Sequence, residues 1–378
     1  MPDLTKLLEQ FEPAAVSADA ARCLNRRHKD VGCRRCLACP TGAITADDPI
    51  TLDARRCVGC GLCASACPVQ AFRLGGPTQR DILRSISEAP AGALEFACQR
   101  KSDPGVTRCG ATTVILLPCL ARLSPATLAA TSRGAVWLDD EGCQDCPLGS
   151  VRYHYLGLVT AVNRALGLSG TAAIHTYRLR QEGLANSAAT ALVLDPERPA
   201  YSRRDFFGAL RREAARGLLG ILNHPGDANA RAALAPGREE RALLVSLLAE
   251  AFFAGKEQDL SSLPFGSLAI SAQCEACGLC AKQCPTGALG LKKDARQFVL
   301  SFTSAECLGT ACRACQLICP VGAAKVSSLA EARELQPGTA VPLLSGKLAD
   351  CAVCGEKFAA REGEGLCHIC RQSARPAY

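Results

Sequence analysis

The sequence CVGCGLCASACP occupies residues 57–68, and the closely similar CEACGLCAKQCP occupies residues 274–285. Both stretches keep the pattern C-x2-C-x2-C-x3-C-P, which is typical of iron–sulfur sites. Two residues between successive cysteines allow a tight turn to place three thiolates around one centre. The proline after the fourth cysteine ends the loop before a short helix. This spacing favours an iron–sulfur cluster over a zinc ion or a disulfide at both places.

The end of this pattern occurs four times along the chain. CPTGA begins at Cys39 and Cys284, and CPVxA begins at Cys67 and Cys319. In each half of the chain the CPTGA copy precedes the CPVxA copy, and about two hundred residues separate the two pairs. This order predicts that a unit with two motifs has been duplicated.

The two remaining motifs have longer first loops. They are Cys307, Cys312, Cys315 and Cys319, with a C-x4-C opening, and Cys23, Cys33, Cys36 and Cys39, in which nine residues separate the first two cysteines. A longer loop costs little closure entropy, so both sets still fit a cluster. For the second set, a spare Cys23 with a three-iron or incomplete site stays an alternative.

The 25 cysteines also limit the class of protein. Disulfide frameworks belong mainly to small secreted domains, whereas this chain has 378 residues, clustered cysteines and an N-terminal sequence unlike a signal peptide. No apolar run approaches the roughly 18 residues of a membrane span. We therefore expect thiolate-bound metal in a reducing compartment, the cytoplasm.

The formal net charge of +7 does not by itself indicate a nucleic-acid-binding protein. A 4Fe-4S cluster with four thiolates carries about two negative charges, so four clusters bring the net charge from +7 to about −1. The basic residues then act as counter-charge. Nucleic acid is not an expected partner, because binding it requires a localised basic patch.

Residues 20–76 and 268–327 each resemble the two-cluster bacterial ferredoxins on the motifs quoted above. In that family the fourth cysteine of each motif binds the cluster of the other motif. The resemblance implies four 4Fe-4S clusters with the following ligand sets: Cys57, Cys60, Cys63 and Cys39; Cys23, Cys33, Cys36 and Cys67; Cys274, Cys277, Cys280 and Cys319; and Cys307, Cys312, Cys315 and Cys284. Residues 43–53 and 288–302 predict hairpins that cover the clusters, as in the ferredoxin-like α+β unit.

Residues 90–182 alternate between strand-like and helix-like segments. Residues 93–98, 112–119, 135–140 and 171–177 are predicted strands, and the segments that begin at Ser124 and Ser150 are predicted helices with serine caps. Such alternation is typical of a small doubly wound parallel α/β sheet.

Five cysteines belong to this central region. Cys98 and Cys119 stand at the carboxyl ends of two predicted strands, and Cys143 and Cys146 lie in the loop after a third. Ligands bind at this edge of open parallel sheets, so we expect the four thiols to converge there. Cys109 lies in the loop before its strand and can reach the same edge.

The central pattern FxC, then VILLPCLARLSPATL, then a strand and GCQDC resembles the delta subunit of methyl-viologen-reducing hydrogenase over about ninety residues. The resemblance implies a 2Fe-2S cluster and an adaptor that passes electrons between an oxidoreductase and a ferredoxin-like or heterodisulfide-reductase partner. Buried structural cysteines, a zinc site and a redox-active dithiol at Cys143 and Cys146 stay open as alternatives. Neither a GxGxxG motif nor a Walker A loop is present to indicate a nucleotide cofactor.

A cysteine-free stretch at residues 183–266 predicts a helical connector. Ser202 and Asp205 are in capping-box register at the start of one amphipathic helix. A second helix spans residues 238–255 and has Leu244, Leu247, Leu248 and Ala251 on one side. We expect the two helices to pack as a spacer between the ferredoxin-like units.

The last four cysteines form two CxxC knuckles that are twelve residues apart: Cys351, Cys354, Cys367 and Cys370. Four soft thiolates in this order are typical of a tetrahedral zinc site, and CxxCGxxF resembles a zinc ribbon. The short gap keeps rubredoxin-like iron open as an alternative. Since four cysteines complete the shell, we expect His368 to be exposed. The other histidines, His154 among them, show no set of partners in the sequence.

The predicted domains are ferredoxin-like units at 1–78 and 267–340, a hydrogenase-delta-like domain at 79–182, the helical connector at 183–266 and a zinc-ribbon-like tail at 341–378. The fold class is therefore multidomain, with α+β ferredoxin-like units and an α/β centre. Sixteen ferredoxin-type, five central and four terminal cysteines account for all 25.

These features favour an electron-transfer component of an oxidoreductase complex. It relays single electrons between redox protein partners such as hydrogenase, dehydrogenase or heterodisulfide-reductase subunits. No nucleophile–base pair or pair of carboxylates marks a catalytic site, so we expect a component rather than a stand-alone enzyme. An oxidoreductase whose central cysteines reduce a disulfide-type substrate is the second hypothesis, and a regulatory nucleic-acid-binding iron–sulfur protein is the third.

Overall fold

The computed structural model describes residues 16–27, 29–45, 50–131, 134–178, 189–197, 238–329, 332–335, 339–361 and 363–373. These residues form a mixed structure of helices and strands with a five-stranded parallel sheet. Within these ranges, no helix has the length and apolar character that a membrane crossing requires. The helix predicted to begin at Ser202 lies outside the described residues.

The first cysteine-rich unit is built on two small antiparallel strand pairs. Its elements are β1 (Val16–Ala18), α1 (Leu24–Arg27), β2 (Ile44–Thr45), β3 (Thr51–Leu52), α2 (Leu62–Ala66) and β4 (Phe72–Leu74). β1 pairs with β4, and β2 pairs with β3, which confirms the first predicted hairpin. Ile44 and Phe72 share a small hydrophobic core with Cys36 and Cys63. The core of this unit therefore forms around its cysteines.

Helix α3 (Gln79–Glu88) leads from the first unit to the central sheet. Its first turn is fixed by a capping box, in which the Asp81 N–H donates to the Thr78 hydroxyl and the Thr78 N–H donates to the Asp81 carboxylate. Ile82 on this helix is fully buried in the central core. The cap and this buried contact set the direction in which the chain leaves the cysteine loops.

In the part of the central region that the structure describes, the α-helices and strands are β5 (Leu94–Cys98), β6 (Val106–Thr107), β7 (Thr113–Leu117), α4 (Pro125–Ala129), β8 (Val136–Leu138), α5 (Arg152–Ala165), β9 (Ile174–Thr176), β10 (Ala189–Thr190) and β11 (Leu192–Leu194). Five strands form a parallel sheet in the order β11–β7–β5–β8–β9, which confirms the parallel sheet and its four predicted strands. Phe96 on β5 stands beside Ile115 and Leu138 of its two neighbours, and all three are fully buried. Such continuous apolar strands suit a sheet that is covered on both faces.

The structure differs from two expectations for this region. Strand β11 lies within residues 183–266, where the sequence favours helix, and it pairs with β7 at the edge of the sheet. Ser124 caps α4 as predicted, but Ser150 does not cap α5. The turn Gly149–Val151 runs directly into α5, so Ser150 lies inside the turn and not before it.

Helix α6 (Arg238–Phe253) confirms the second predicted helix of the connector. Leu244, Leu248 and Ala251 are buried in the same hydrophobic core as the central sheet. That core also includes Phe265, at the start of the second cysteine-rich unit. The helix therefore joins these two parts of the molecule through a common core.

The second cysteine-rich unit repeats the plan of the first. Its elements are β12 (Gly266–Ile270), α7 (Leu279–Gln283), β13 (Leu289–Lys293), β14 (Gln297–Phe302), α8 (Ala314–Leu317), β15 (Ala324–Ser328) and β16 (Val341–Lys347). β12 pairs with β15, and β13 pairs with β14, so the second predicted hairpin is confirmed. α2 and α7 each follow a glycine with positive φ, Gly61 at 85° and Gly278 at 81°. These paired features support a duplicated unit.

The terminal segment is joined to the second unit by backbone pairing. β16 adds to β14 as the third strand of the sheet, although its residues belong to the predicted tail. β17 (Ala349–Asp350) and β18 (Lys357–Phe358) then form a short hairpin, and α9 (His368–Ser373) follows. Phe358 packs against Cys351 and Cys367. The terminal cysteines therefore have a small core of their own.

Candidate metal centres

The loop before α2 gathers one group of thiols in the first unit. Burial, and then the charges of Cys60, Cys57 and Cys39, raise the pKa of the Cys63 thiol to about 12. Cys39 and Cys57 also pack against the small hydrophobic core that contains Cys63, so the structure brings cysteines of both motifs together here. The loop can turn this tightly because Gly61 adopts a φ of 85°.

A second group combines cysteines from both motifs of the first unit. Burial, and then charges that include those of Cys33, Cys67 and Cys23, raise the pKa of the Cys36 thiol to about 11. Cys67 is the fourth cysteine of the other motif, yet it lies with this group. The Ala71 N–H donates to the Cys67 Sγ, with 3.3 Å between nitrogen and sulfur, and such a bond stabilises a thiolate.

In the second unit, four thiols surround a cavity. Burial, and then charges that include those of Cys274, Cys277 and Cys319, raise the pKa of the Cys280 thiol to about 11. The cavity is lined by these four cysteines and by apolar side chains such as Leu291. Four soft thiols around an apolar space fit a 4Fe-4S cluster by the chemistry of the donor set.

The remaining group of the second unit contains the buried Cys312. Burial, and then the charges of Cys307, Cys284 and Cys312, raise the pKa of the Cys315 thiol to about 12. The Gly309 N–H donates to the Cys307 Sγ at 3.4 Å. As in the first unit, the fourth cysteine of one motif therefore lies near the first three cysteines of the other.

The raised pKa values of these thiols have a common physical cause. Buried thiolates lose hydration and repel one another, so the protein alone favours neutral thiols. A bound metal centre reverses that preference, because it takes thiolate ligands and offsets their charge. Metal loading therefore relieves the electrostatic cost of bringing these cysteines together.

Two of the thiol groups adjoin where the two units meet. Leu24, Val31, Leu308 and Cys312 form one hydrophobic cluster, and Cys33 packs against it. Burial is the main cause that raises the pKa of the Cys312 thiol to about 11, and Cys33 is among the neighbouring thiols that contribute. A cysteine of the first unit therefore lies beside a cysteine of the second.

Four cysteines converge at the carboxyl edge of the central sheet. Cys98 ends β5, and Cys119 follows β7. Burial raises the pKa of the Cys119 thiol to about 12, with contributions from the charges of Cys60, Cys143 and Cys98. Burial also raises the pKa of Cys143, with contributions from Cys98 and Cys146. Cys119 is therefore close both to the central thiols and to Cys60 of the first unit.

Cys109 belongs to a buried polar network at this sheet. Its Sγ lies 3.1 Å from the Thr107 hydroxyl oxygen and 3.4 Å from a carboxylate oxygen of Glu95. Glu95 is fully buried, pairs with Lys101 and accepts a hydrogen bond from the Tyr177 hydroxyl. These donors compensate a buried carboxylate, and the Cys109 thiol is one of its neighbours.

The terminal cysteines form a compact group of four thiols. The Sγ atoms of Cys351, Cys354, Cys367 and Cys370 all lie within 4.8 Å of one another. Hydrogen bonds from backbone N–H groups, first that of Cys354, lower the pKa of the Cys351 thiol and so favour its thiolate. Four thiolates around one point match the tetrahedral coordination of a single zinc ion.

The expectation that His368 is exposed is wrong. Its side chain is buried, its backbone N–H donates to a carboxylate oxygen of Glu275 at 2.7 Å, and its Nδ1 lies 3.1 Å from the same oxygen. Arg371 pairs with the other carboxylate oxygen. Glu275 lies between Cys274 and Cys277, so the terminal group docks on a cluster motif. In the sequence, the acidic side chain of Glu275 inside the cysteine motif is only a weak indication that another segment docks there.

His154 also has a partner that the sequence does not reveal. Its Nε2 lies 2.9 Å from the Ser65 hydroxyl oxygen, on the cysteine-rich helix α2. Burial, and then the charge of Arg35, lower the pKa of His154 to about 4. The imidazole is therefore neutral at pH 7 and joins α5 to the first unit.

A buried arginine supports a cysteine loop of the second unit. Arg241 on α6 donates to the backbone carbonyls of Ala305 and Cys307 at 2.6 Å, and to that of Pro264 at 3.1 Å. Burial lowers its pKa to about 10, so the guanidinium remains charged at neutral pH. In the sequence this arginine is one polar residue of an amphipathic helix, and nothing there indicates its contact.

Two parts of the chain match known protein families. Residues 273–323 match the 4Fe-4S dicluster domain, and residues 50–73 match the 4Fe-4S binding domain. No curated protein shows a significant match to the chain. The matched segments contain the thiol groups at α7 and α8 and the motif at α2. The chain therefore contains two ferredoxin-type iron–sulfur domains, and such domains imply a role in electron transfer.

Proposed function

We propose that the protein is an electron-transfer subunit that relays single electrons through four 4Fe-4S clusters and a central 2Fe-2S site. It connects redox partner proteins within an oxidoreductase complex of the hydrogenase, dehydrogenase or heterodisulfide-reductase type. The observation that carries this proposal is the shared hydrophobic packing of neighbouring thiol groups, from the central sheet to the second unit.

We assign five ligand sets on the neighbours that each thiol has in the structure and on the ferredoxin resemblance. They are Cys39, Cys57, Cys60 and Cys63; Cys23, Cys33, Cys36 and Cys67; Cys284, Cys307, Cys312 and Cys315; Cys274, Cys277, Cys280 and Cys319; and Cys98, Cys119, Cys143 and Cys146. Each set supplies four thiols, which is the number that one such cluster requires.

The route begins where the central sheet meets the first unit. Cys119 and Cys60 pack against the same hydrophobic core. The Ser65 hydroxyl on α2 donates to the carbonyl of Ala121 at 2.7 Å, so the two thiol-bearing segments are bonded directly. Electrons can therefore leave the central site for the first unit over a short distance.

The route continues through the contact between the two units. Cys33 packs against the cluster of side chains that contains Cys312, as described above. Within the second unit α7 contacts α8, and Cys280 contributes to the raised pKa of Cys315, for which burial is the main cause. Each thiol group thus has a neighbouring group on the way from one end to the other.

A bound cluster exchanges one electron at a time, at a potential that depends on hydrogen bonds to its sulfur ligands and on exposure to solvent. The chain supplies both kinds of control. Backbone N–H groups of Ala71 and Ala323 donate to the Sγ atoms of Cys67 and Cys319 at 3.3 and 3.2 Å. Cys277, in contrast, is exposed. The centres therefore lie in different environments, which favours a graded series of potentials.

The terminal cysteines have a different role in this proposal. Cys351, Cys354, Cys367 and Cys370 bind one zinc ion, since their four sulfur atoms are close enough to share a single metal. The zinc site stabilises the segment that docks on Glu275. A reducing compartment such as the cytoplasm suits a protein with this many thiolate ligands.

Anaerobic purification with quantitation of iron, sulfide and zinc, followed by EPR spectroscopy of the reduced protein, tests the proposal. The assigned ligand sets predict about sixteen irons in cubane clusters, about two in a rhombic two-iron site and about one zinc per chain. Colourless protein with mainly zinc after an oxygen-free preparation would contradict an electron relay. If the cubane clusters are present and the rhombic signal is absent, only the assignment of a central 2Fe-2S site is contradicted.

A further inference from the structure

Arg122 lies at the junction between the central site and the first unit. It ends the short helical turn that follows Cys119, and its backbone N–H donates to the Cys119 carbonyl at 3.1 Å. At the other end of the residue, the guanidinium Nη2 donates to the carbonyl of Gly59 at 2.8 Å. Gly59 directly precedes Cys60. One residue thus bonds to the loops that carry two neighbouring thiol groups.

The cysteine loop closes around the side chain of Arg122. A Cβ atom added to Gly61 would lie 2.5 Å from the Arg122 Cγ and 3.3 Å from its Nε. The guanidinium also donates to the carbonyls of Gly75 at 3.1 Å and Pro77 at 3.0 Å. Segments on both sides of α2 therefore enclose the cation, which leaves no room for a larger residue at Gly61.

The hydrogen bonds of the Arg122 guanidinium do not neutralise its positive charge, because their acceptors are neutral backbone carbonyls. The residue is 3% exposed, and among the described residues its buried Nε has no hydrogen-bond partner. Burial lowers the pKa of Arg122, and Glu197, Cys119 and Cys60 are the first neighbours that offset this effect. Glu197 is exposed, whereas Cys60 and Cys119 are partly buried. A buried cation is stabilised most by charges that are themselves shielded from water.

We propose that Arg122 is a shared counter-charge for the central site and for the cluster of the Cys57 loop, and that electrons pass directly between these two centres. This inference rests on the electron relay proposed above. One electron leaves the centre at the central thiols, which is oxidised, and enters the centre of the Cys57 loop, which is reduced. No bond forms or breaks, and no proton moves. Because a nearby positive charge favours the reduced state, Arg122 raises both midpoint potentials.

An EPR-monitored redox titration of the full chain carrying Arg122→Met tests this role. We expect the midpoint potentials of the two-iron centre and of the Cys57-loop cluster both to become more negative, while those of the other clusters stay unchanged. The variant Cys60→Ala identifies the signal of the Cys57-loop cluster, because that cluster loses a ligand. Arg122→Lys keeps the charge and should restore both potentials towards the wild-type values.

The matched control is Arg241→Met, which removes a buried arginine beside the Cys307 loop. It should lower the potential of that cluster alone and leave the central site unaffected. If the clusters load and Arg122→Met shifts only one potential or none, the shared role of Arg122 is wrong while the relay stands. If Arg122→Met fails to bind iron, Arg122→Lys decides: unchanged potentials support a charge effect, and lowered ones contradict it. Wild-type protein without clusters would instead overturn the proposed function itself.

Discussion

At the scale of single residues, Glu275 connects two distant parts of the chain. Its side chain is 2% exposed, and its carboxylate bonds to His368 and Arg371, which lie 93 and 96 residues further along. A buried carboxylate that loses such donors is strongly destabilised. The docked terminal segment therefore supplies the partners that compensate this buried carboxylate inside a cluster motif.

The substitution Glu275→Gln tests this connection. Glutamine keeps the size of the side chain but removes the charge that pairs with Arg371, so we expect the docked segment to be destabilised by about 2 kcal/mol. Hydrogen exchange of backbone amides in residues 349–373 should become faster, with iron and zinc contents unchanged. Asp350→Asn is the control, because it removes an ion pair with Lys357 whose side chains are 67% and 40% exposed. Equal protection of these amides from hydrogen exchange in Glu275→Gln and in the wild type would contradict the role of Glu275 in docking the terminal segment.

The site residues divide into those that local sequence can predict and those that it cannot. Cysteine spacing is a local property, because each gap sets how tightly the chain turns around a centre, and the gaps alone predict the motifs at Cys57 and Cys274. The roles of Glu275, Arg122 and His154 depend on atoms from distant segments. Their residue types are compatible with an ordinary exposed surface, so only the folded chain distinguishes them.

At the scale of secondary-structure elements, α6 stabilises two parts of the molecule at once. Leu248 is fully buried, and the core to which it belongs includes both Phe96 of the central sheet and Phe265 of the second unit. A cavity at this position is therefore expected to weaken the central sheet as well as the helix.

We expect Leu248→Ala to lower the free energy of unfolding by about 3 kcal/mol, because the alanine leaves a cavity in a core that several elements share. The measurement is anaerobic guanidinium unfolding followed by the fluorescence of Trp137, the single tryptophan of the chain, which lies on β8. Phe253→Ala on the same helix removes a side chain that is 84% exposed and should leave the midpoint unchanged. Equal midpoints for Leu248→Ala and wild type would show that α6 does not support the central sheet.

Elements with a repeated local pattern were predictable, and the edge strand was not. The two hairpins and strands β5, β7, β8 and β9 of the parallel sheet have runs of apolar residues bounded by turn residues, which predict strands. β11 has only three apolar residues, and two of them, Leu192 and Val193, are exposed. Its conformation comes from parallel pairing with β7, which lies almost eighty residues earlier. Such non-local pairing leaves little trace in the local sequence.

At the scale of the whole molecule, the proposed relay depends on the contact between the two cysteine-rich units. Val31 is 5% exposed and packs in the hydrophobic cluster that brings Cys33 beside Cys312. We expect Val31→Asp to weaken this contact by about 3 kcal/mol, because it buries an unpaired carboxylate. The magnetic interaction between clusters of the two units should then decrease in the EPR spectrum of the fully reduced protein.

The control for this experiment is Val58→Asp, which makes the same chemical change beside a cluster cysteine at a position that is 55% exposed. It should leave the spectrum and the iron content unchanged. A Val31→Asp protein with full iron content and an unaltered spectrum would show that the two units do not communicate through this contact.

The pairing of β16 with β14 has a consequence for any shortened form of this protein. β14 lies between β13 and β16, so removal of residues 341–347 would leave a row of unpaired N–H and C=O groups along one side of the sheet. Open edges of this kind recruit strands from other molecules and promote aggregation. A fragment designed to isolate the second ferredoxin-type domain should therefore extend through Lys347 to remain monomeric.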